Sequence, residues 1–283
     1  MANETISFFS KKPVSCPVCE ASIYREELRT GRGRLNAGNL TDELRRQYIA
    51  SKKYGAVYPL VYTVTACPEC GYAAFAQDFE TIPDTAVERI RASSEERLNA
   101  LKPVFGTPDF SAPRSLVSGC AAYFLAMSCY DHFDAEVAPT IKQGLCALRA
   151  AWLCNDLHRS SPNENFDYLS AVFYRKARFF YTLAVEREQD GSESIGNAGH
   201  LGPDLDKNYG YDGVLYISAL LEYRYGPTSD DDFRKQALDR AKRTVARLFG
   251  MGKASKNKPT AILDNARDVY DAISRELGVK EDE

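Results

Sequence analysis

Apolar residues follow two different rhythms along the chain, and the change falls near residue 84. Upstream they come in short β-branched and aromatic runs. YPLVYTVTA, from Tyr58 to Ala66, predicts a strand, and ISFF near the start predicts a short partner strand. Downstream they recur three and four positions apart. DTAVERIRASSEERLNALK places Val87, Ile90 and Leu98 between charges, with a cap at Asp84 behind Pro83, and predicts an amphipathic helix ending before Pro103. Beyond the proline-rich stretch KPVFGTPDFSAP, helices are predicted over Ser115–His132, Ala138–His158, Asn163–Glu188 and Gly213–Gly226. Two more are predicted over Ser229–Phe249 and Pro259–Leu277, the last opening on a proline and stopping at Gly278.

Composition narrows the classes. A chain of 283 residues can bury a self-sufficient core, and two domains are the expected count. A net charge of -3 argues against a protein built wholesale around nucleic acid or anionic lipid. The first residues lack the apolar core of a signal peptide, and no run reaches the about eighteen apolar residues of a membrane span. The expectation is a soluble, cytoplasmic protein with no membrane partner. In a reducing compartment its eight cysteines are metal ligands, buried thiols or redox groups rather than a disulfide framework.

Four of them carry a pattern. Cys16-Pro-Val-Cys19 and Cys67-Pro-Glu-Cys70-Gly71 each set two thiols three apart on a tight turn, where backbone N–H groups can point at the first sulfur. Proline stiffens each turn, and Gly71 suits the left-handed backbone needed to leave it. Four thiolates close a tetrahedral zinc site with Zn–S of about 2.3 Å and no open position for substrate. Strand plus knuckle is the layout of a zinc ribbon, too thin to stand without its metal. A rubredoxin-like iron centre uses the same ligands, although Glu20 stands where a second glycine would be expected. A thioredoxin-type redox pair needs a strand-to-helix setting that neither element has.

The fold class predicted is therefore mainly α: a small β zinc-ribbon-like domain over residues 1–83, then an all-α, tetratricopeptide-like helix-hairpin domain over residues 84–283. GLCALRAAWL and FYRKARFFYTLAV put small residues where paired helices would touch. LYISALLEYRYG followed by FRKQALDRA has the form of one repeat with extra residues in its turn. A compact irregular bundle is the alternative.

Between the knuckles the chain is at its most basic, with arginines and lysines outnumbering acids about two to one. Thr41 is predicted to cap a helix with Asp42 and Glu43 in its first turn and Arg45, Arg46, Lys52 and Lys53 later, an order that suits the helix dipole. TGRGRLNAGN before it is predicted to be a flexible loop. Arg32, Arg34, Arg45 and Arg46 are candidate phosphate contacts of a nucleic-acid-binding arm, and a solvated helix with dipole-matched charges is the plainer reading.

Cys120, Cys129, Cys146 and Cys154, with His132 and His158 nearby, invite a second metal site. A hairpin turning near Glu136 and Val137 puts Cys129 and His132 on the order of 20–30 Å from Cys154 and His158, so all four cysteines are expected to be buried apolar residues. The stretch QDGSESIGNAGHLGPDLDKNYGYDG holds His200, Asp204, Asp206 and Asp212. No nucleophile or partner is fixed by spacing there, and a mobile connector is expected. No catalytic constellation emerges anywhere in the chain.

CPVC, PLVYTVTACPECGYAAFAQDF, RAAWL and ARDVYDAISREL together resemble the bacterial family known as domain of unknown function 2225. The resemblance covers most of the chain. It implies a zinc-carrying N-terminal part joined to a tetratricopeptide-like helical part, with Cys16, Cys19, Cys67 and Cys70 as ligands, and it brings no activity. The GRGRLNAGN insert and the long loop before Tyr211 depart from the family pattern. The functional expectation is a metal-binding scaffold or adaptor whose helices hold a protein or peptide partner. The alternative is a nucleic-acid-associated factor using the ribbon and the basic arm.

Overall fold

The computed structural model describes residues 6–249 and 260–278. Among these residues the strands are short and all lie upstream of the first helix. β1 to β8 are Ser7–Phe9, Val14–Ser15, Ser22–Ile23, Glu26–Leu28, Ala37–Leu40, Arg46–Tyr48, Val64–Ala66 and Ala73–Phe75. They form four separate antiparallel pairs, β1 with β4, β2 with β3, β5 with β6 and β7 with β8. The predicted fold class, a small β part followed by a mainly helical part, matches the order of these elements.

Three expectations upstream of residue 84 need correction. The strand foreseen over Tyr58–Ala66 is confined to β7, because Pro59–Tyr62 winds into a 3-10 turn opened by the proline. ISFF does supply a strand, yet β1 pairs with β4, Ser7 opposite Leu28, rather than with the strand that delivers Cys67. The helix foreseen from Thr41 is instead the tip of the β5–β6 hairpin, and part of the expected flexible loop is β5. Thr41 does accept a backbone hydrogen bond, from the Arg45 amide at 3.1 Å, but it closes a turn in which Leu44 takes a left-handed φ of 59°.

Helices α1 to α8 are Asp84–Ala92, Ser94–Phe105, Leu116–Tyr130, Pro139–Ser160, Phe166–Asp190, Gly210–Tyr225, Asp231–Ala246 and Thr260–Glu276. The single helix expected from Asp84 breaks at Ser93. There Ser93 and Ser94 hydroxyls donate back to the Arg89 and Ile90 carbonyls, which competes with helix continuation. Asp84 lies in the first turn, with Pro83 at the cap position. Pro103 does not end α2: it forfeits only its own hydrogen bond, while buried Leu101 and Phe105 keep the last turn wound. Ser115 caps α3 through the Ser118 amide, in a reciprocal capping box. Gly278 ends α8 at a φ of 69°, whereas the predicted opening on Pro259 lies outside the described residues.

Consecutive helices from α3 to α7 pack as antiparallel hairpins. Cys120 meets Cys154 and Met127 meets Gln143 across α3 and α4, while Tyr174 stacks on Tyr225 and Arg178 meets Glu222 across α5 and α6. Gly144 lets α4 and α5 close up, since a Cβ there would lie 2.9 Å from the Tyr181 ring. α4 is buried nearly throughout, charged residues included. Lys142, Arg149 and Asp156 recur every seven residues and so share one stripe of the helix. Each ties down a different peripheral segment. Lys142 pairs with Asp78 at 2.8 Å, just past β8; Arg149 donates to the Gly202 and Pro203 carbonyls; Asp156 pairs with Arg45 of the hairpin tip.

Arg149 also accounts for the stretch foreseen as a mobile connector. Residues 191–209 pack onto the body, with Glu193, Ile195, Ala198, Leu201 and Asp204 buried. Glu193 accepts from the Thr140 amide and hydroxyl at the start of α4, and Asp204 accepts from the Arg46 amide at 2.7 Å. The expected mobility is thus corrected by buried polar anchoring that a glycine- and aspartate-rich sequence does not advertise. Buried residues from Cys16 to Ile273 belong to one continuous core.

Candidate metal centre

The hairpins β2–β3 and β7–β8 each present a four-residue turn built the same way. The Cys16 amide donates to the Ala21 carbonyl at 2.8 Å, and the Cys67 amide to the Tyr72 carbonyl at 2.7 Å. The Glu20 and Gly71 amides return to the Cys16 and Cys67 carbonyls. Both Glu20 and Gly71 sit in the left-handed region, at φ 65° and 67°. Glu20 thus takes the conformation that glycine would adopt at less cost. Glycine matters more at 71, where a Cβ would meet Leu98 at 2.9 Å.

These turns face each other. Cys16 Sγ lies 3.7 Å from Cys70 Sγ, Cys19 Sγ lies 3.5 Å from Cys67 Sγ, and all four sulfurs fall within 4.8 Å of one another. A tetrahedron of sulfurs each about 2.3 Å from a central ion has edges of about 3.8 Å, so the donor set fits a four-thiolate metal. Among the described residues this is the cluster of cysteine, histidine or carboxylate groups close enough to share an ion. Cys16 and Cys67 are fully buried, Cys70 nearly so, and Cys19 is exposed. Hydrogen bonds from the Cys67 and Cys70 sulfurs pull the Cys16 thiol down to about 4 against its burial, and the Val18 and Cys19 amides pull the same way. The contacts with Cys16 and Cys67 push Cys70 up. Sulfurs packed this tightly cannot all ionise without a cation, and a divalent ion removes that conflict.

Two arginines brace the turns from behind. The Arg91 guanidinium donates to the Val18 carbonyl at 2.8 Å. Arg97, 4% exposed, donates to the Gly71, Cys70 and Ile90 carbonyls and to Ser93 Oγ, tying the second turn to the break between α1 and α2. Their positive charge would offset the excess negative charge of four thiolates around a divalent ion. Replacing Arg97 with Met keeps the bulk but strands those carbonyls, and should cost about 2–4 kcal/mol of stability in denaturant titrations. A loss below about 0.5 kcal/mol would mean that Arg97 is not a brace.

Cys129 lies beneath the second turn without joining the cluster. Its sulfur accepts from the Ala73 amide at 3.5 Å, and burial pushes its thiol up to about 11. Cys120, Cys146 and Cys154 are likewise buried and free, Cys120 and Cys154 touching at 3.5 Å. The four candidate phosphate-binding arginines are dispersed. Arg32 is exposed in the turn before β5, and Arg34 is buried over the Tyr54 ring. Arg45 lies over Trp152 and pairs with Asp156, while Arg46 pairs with Asp206 at 2.9 Å and donates to the Gly38 carbonyl.

The anchoring contact absent from sequence reading is that hairpin tip. Glu43 accepts from Trp152 Nε1, Tyr174 Oη and Arg224 Nη1, while Asp42 pairs with Arg224 and takes Tyr216 Oη on its carbonyl at 2.6 Å. Leu44 beside them is wholly buried. A DEL tripeptide at the end of a hairpin therefore plugs into α4, α5 and α6, and the one hint in sequence was an adjacent Asp-Glu pair within a mainly basic insert.

The model of a bacterial family described as "Uncharacterized protein conserved in bacteria (DUF2225)" matches residues 9–273. The chain belongs to the DUF2225 family. A curated relative, an uncharacterized protein of Borreliella burgdorferi, is 43% identical over 273 residues, covering 96% of this chain and 98% of its own length. No solved structure matches the chain. The match spans both knuckles and nearly all of the helical body, so the four cysteines and the helices belong to one DUF2225 unit. No helix among the described residues is long and apolar enough to cross a membrane.

Proposed function

We propose that this DUF2225 protein is a cytoplasmic, zinc-anchored scaffold whose helix hairpins, stacked in tetratricopeptide-like fashion, hold a protein or peptide partner. The observation that carries it is the closed four-sulfur cluster at the junction of two knuckles and the α1–α2 break. Four thiolates leave no coordination position for substrate, so the ion would build structure rather than do chemistry. A reducing compartment keeps those thiols available. Antiparallel helices anchored by buried ion pairs supply the rigidity that lowers the ordering cost of binding. Arg34, Arg45 and Arg46, considered for nucleic acid, spend donors inside the molecule, which favours the scaffold over the nucleic-acid reading.

Elemental analysis of protein purified without added metal tests the centre. The expected result is about one zinc per chain, lost in the Cys16→Ser/Cys67→Ser variant. Iron with visible thiolate absorption would replace the zinc assignment, and no metal at all would remove the anchor.

A further inference from the structure

We propose that the cleft between α5, α6 and α7 is the docking groove for an acidic peptide segment of a partner protein, one carrying an apolar residue among its carboxylates. This rests on the scaffold reading and names the chemistry its partner must bring. Two adjoining hollows, about 240 and about 320 Å³, share Arg178, Ala237 and Arg240 in their walls. Together they gather five arginines: Arg175, Arg178, Arg240, Arg243 and Arg247. The acidic residues in the same walls are Glu186 and Glu222, so the cleft is strongly positive on a chain of net charge -3.

The arginines are not used up at home. Arg175 and Arg240 are exposed, and their guanidiniums make no hydrogen bond or ion pair with the described residues. Arg178 grips both Glu222 oxygens through one nitrogen, leaving its Nε buried without a partner. Arg243 pairs only with Asp239 along the exposed face of α7, a contact worth little in water. Guanidinium forks match carboxylates in bidentate geometry.

Two features favour a peptide over a nucleic acid. Glu186, exposed in the wall, interrupts the positive surface, repelling a continuous phosphate backbone while remaining able to accept peptide N–H groups. At one end Phe233, 60% exposed, stands with Tyr225 and Pro227 as a seat for one apolar side chain. Recognition of this kind combines steering by charge with one buried anchor.

The probe is a fluorescein-labelled dodecapeptide of Glu and Asp around a central Leu-Phe pair, with a Lys-for-acid counterpart and a labelled oligothymidylate of equal length. Fluorescence anisotropy with the full chain should show binding of the acidic peptide that weakens as salt rises, and no binding of the lysine peptide. Arg175→Glu/Arg240→Glu should weaken it at least about tenfold with an unchanged melting curve, because neither side chain has a structural partner. Arg89→Glu/Arg267→Glu, reversing exposed arginines elsewhere, should change it less than about twofold. Failure of the wild type to bind the acidic peptide, equal loss in both double variants, or tighter binding of the oligonucleotide each overturns the assignment. If the chain retains protein partners that Arg175→Glu/Arg240→Glu retains equally, the groove assignment falls while the scaffold reading stands. If neither chain retains partner or peptide, both fall.

Discussion

Cys16→Ser/Cys67→Ser, or exhaustive chelation of the wild type, is expected to lower stability by at least about 4 kcal/mol, the linkage contribution of an ion held a thousandfold above its Kd by the folded state alone. In a chain of this size that is a fall of about 8–16 °C in melting temperature by calorimetry. The damage should be unequal. The first knuckle hangs from a hairpin of two residues per strand and one guanidinium contact from Arg91, and isolated two-stranded hairpins do not persist in water. The second knuckle has other support: Arg97 holds its carbonyls, Tyr72 stacks on Phe79 at 4.7 Å, and β8 packs on α3, where the Phe75 amide donates to Tyr130 Oη. Hydrogen exchange should therefore accelerate at residues 16–20 far more than at residues 67–72. Equal protection with and without metal would show that packing, not the ion, holds the knuckles together.

That asymmetry marks how far the sequence can be read. Both knuckles and the left-handed exit at Gly71 were legible because the spacing of four cysteines is local and its chemistry specific. The helices from α3 to α8 were legible within a few residues, since one apolar face at a period of 3.6 is also local. What stayed hidden depends on partners distant in sequence. Asp42, Glu43, Arg45 and Arg46 are ordered as helix-dipole chemistry would order them, yet each faces a partner more than 100 residues away. Burial against α4, α5 and α6 outweighs any local helix propensity. Lys142, Arg149 and Asp156 lie in a segment apolar enough to pass for a plain core helix, and their seven-residue spacing acquires meaning only once three separate segments lie along one stripe. The loop at 191–209 looks mobile by composition and is held by two arginines remote in sequence, Arg149 through its guanidinium and Arg46 through its amide and its pair with Asp206.

The hairpin tip carries the second large effect. Glu43→Ala is expected to destabilise the protein by about 3–5 kcal/mol, because it deprives three buried or half-buried donors of one acceptor rather than removing a matched pair. Trp152 is 1% exposed, and Tyr174 is buried against Tyr225 with ring centroids 4.3 Å apart, so water cannot readily replace the carboxylate. Burial, and then the charge of Glu43, push the Tyr174 phenol up, so it stays a protonated donor at neutral pH and is left without its acceptor in the variant. Arg224 retains Asp42 and should suffer least. Glu43→Gln keeps an acceptor oxygen and the volume, and should recover about half of the loss. Trp152 is the chain's single tryptophan, so its emission reports this contact alone; loosening of the tip should shift it to longer wavelength before global unfolding. The same variant should leave the metal content of the purified protein unchanged, because the tip and the four sulfurs are braced by different residues. An unmoved emission maximum with a melting temperature within about 2 °C of wild type would show that the hairpin rests on the helices without plugging them.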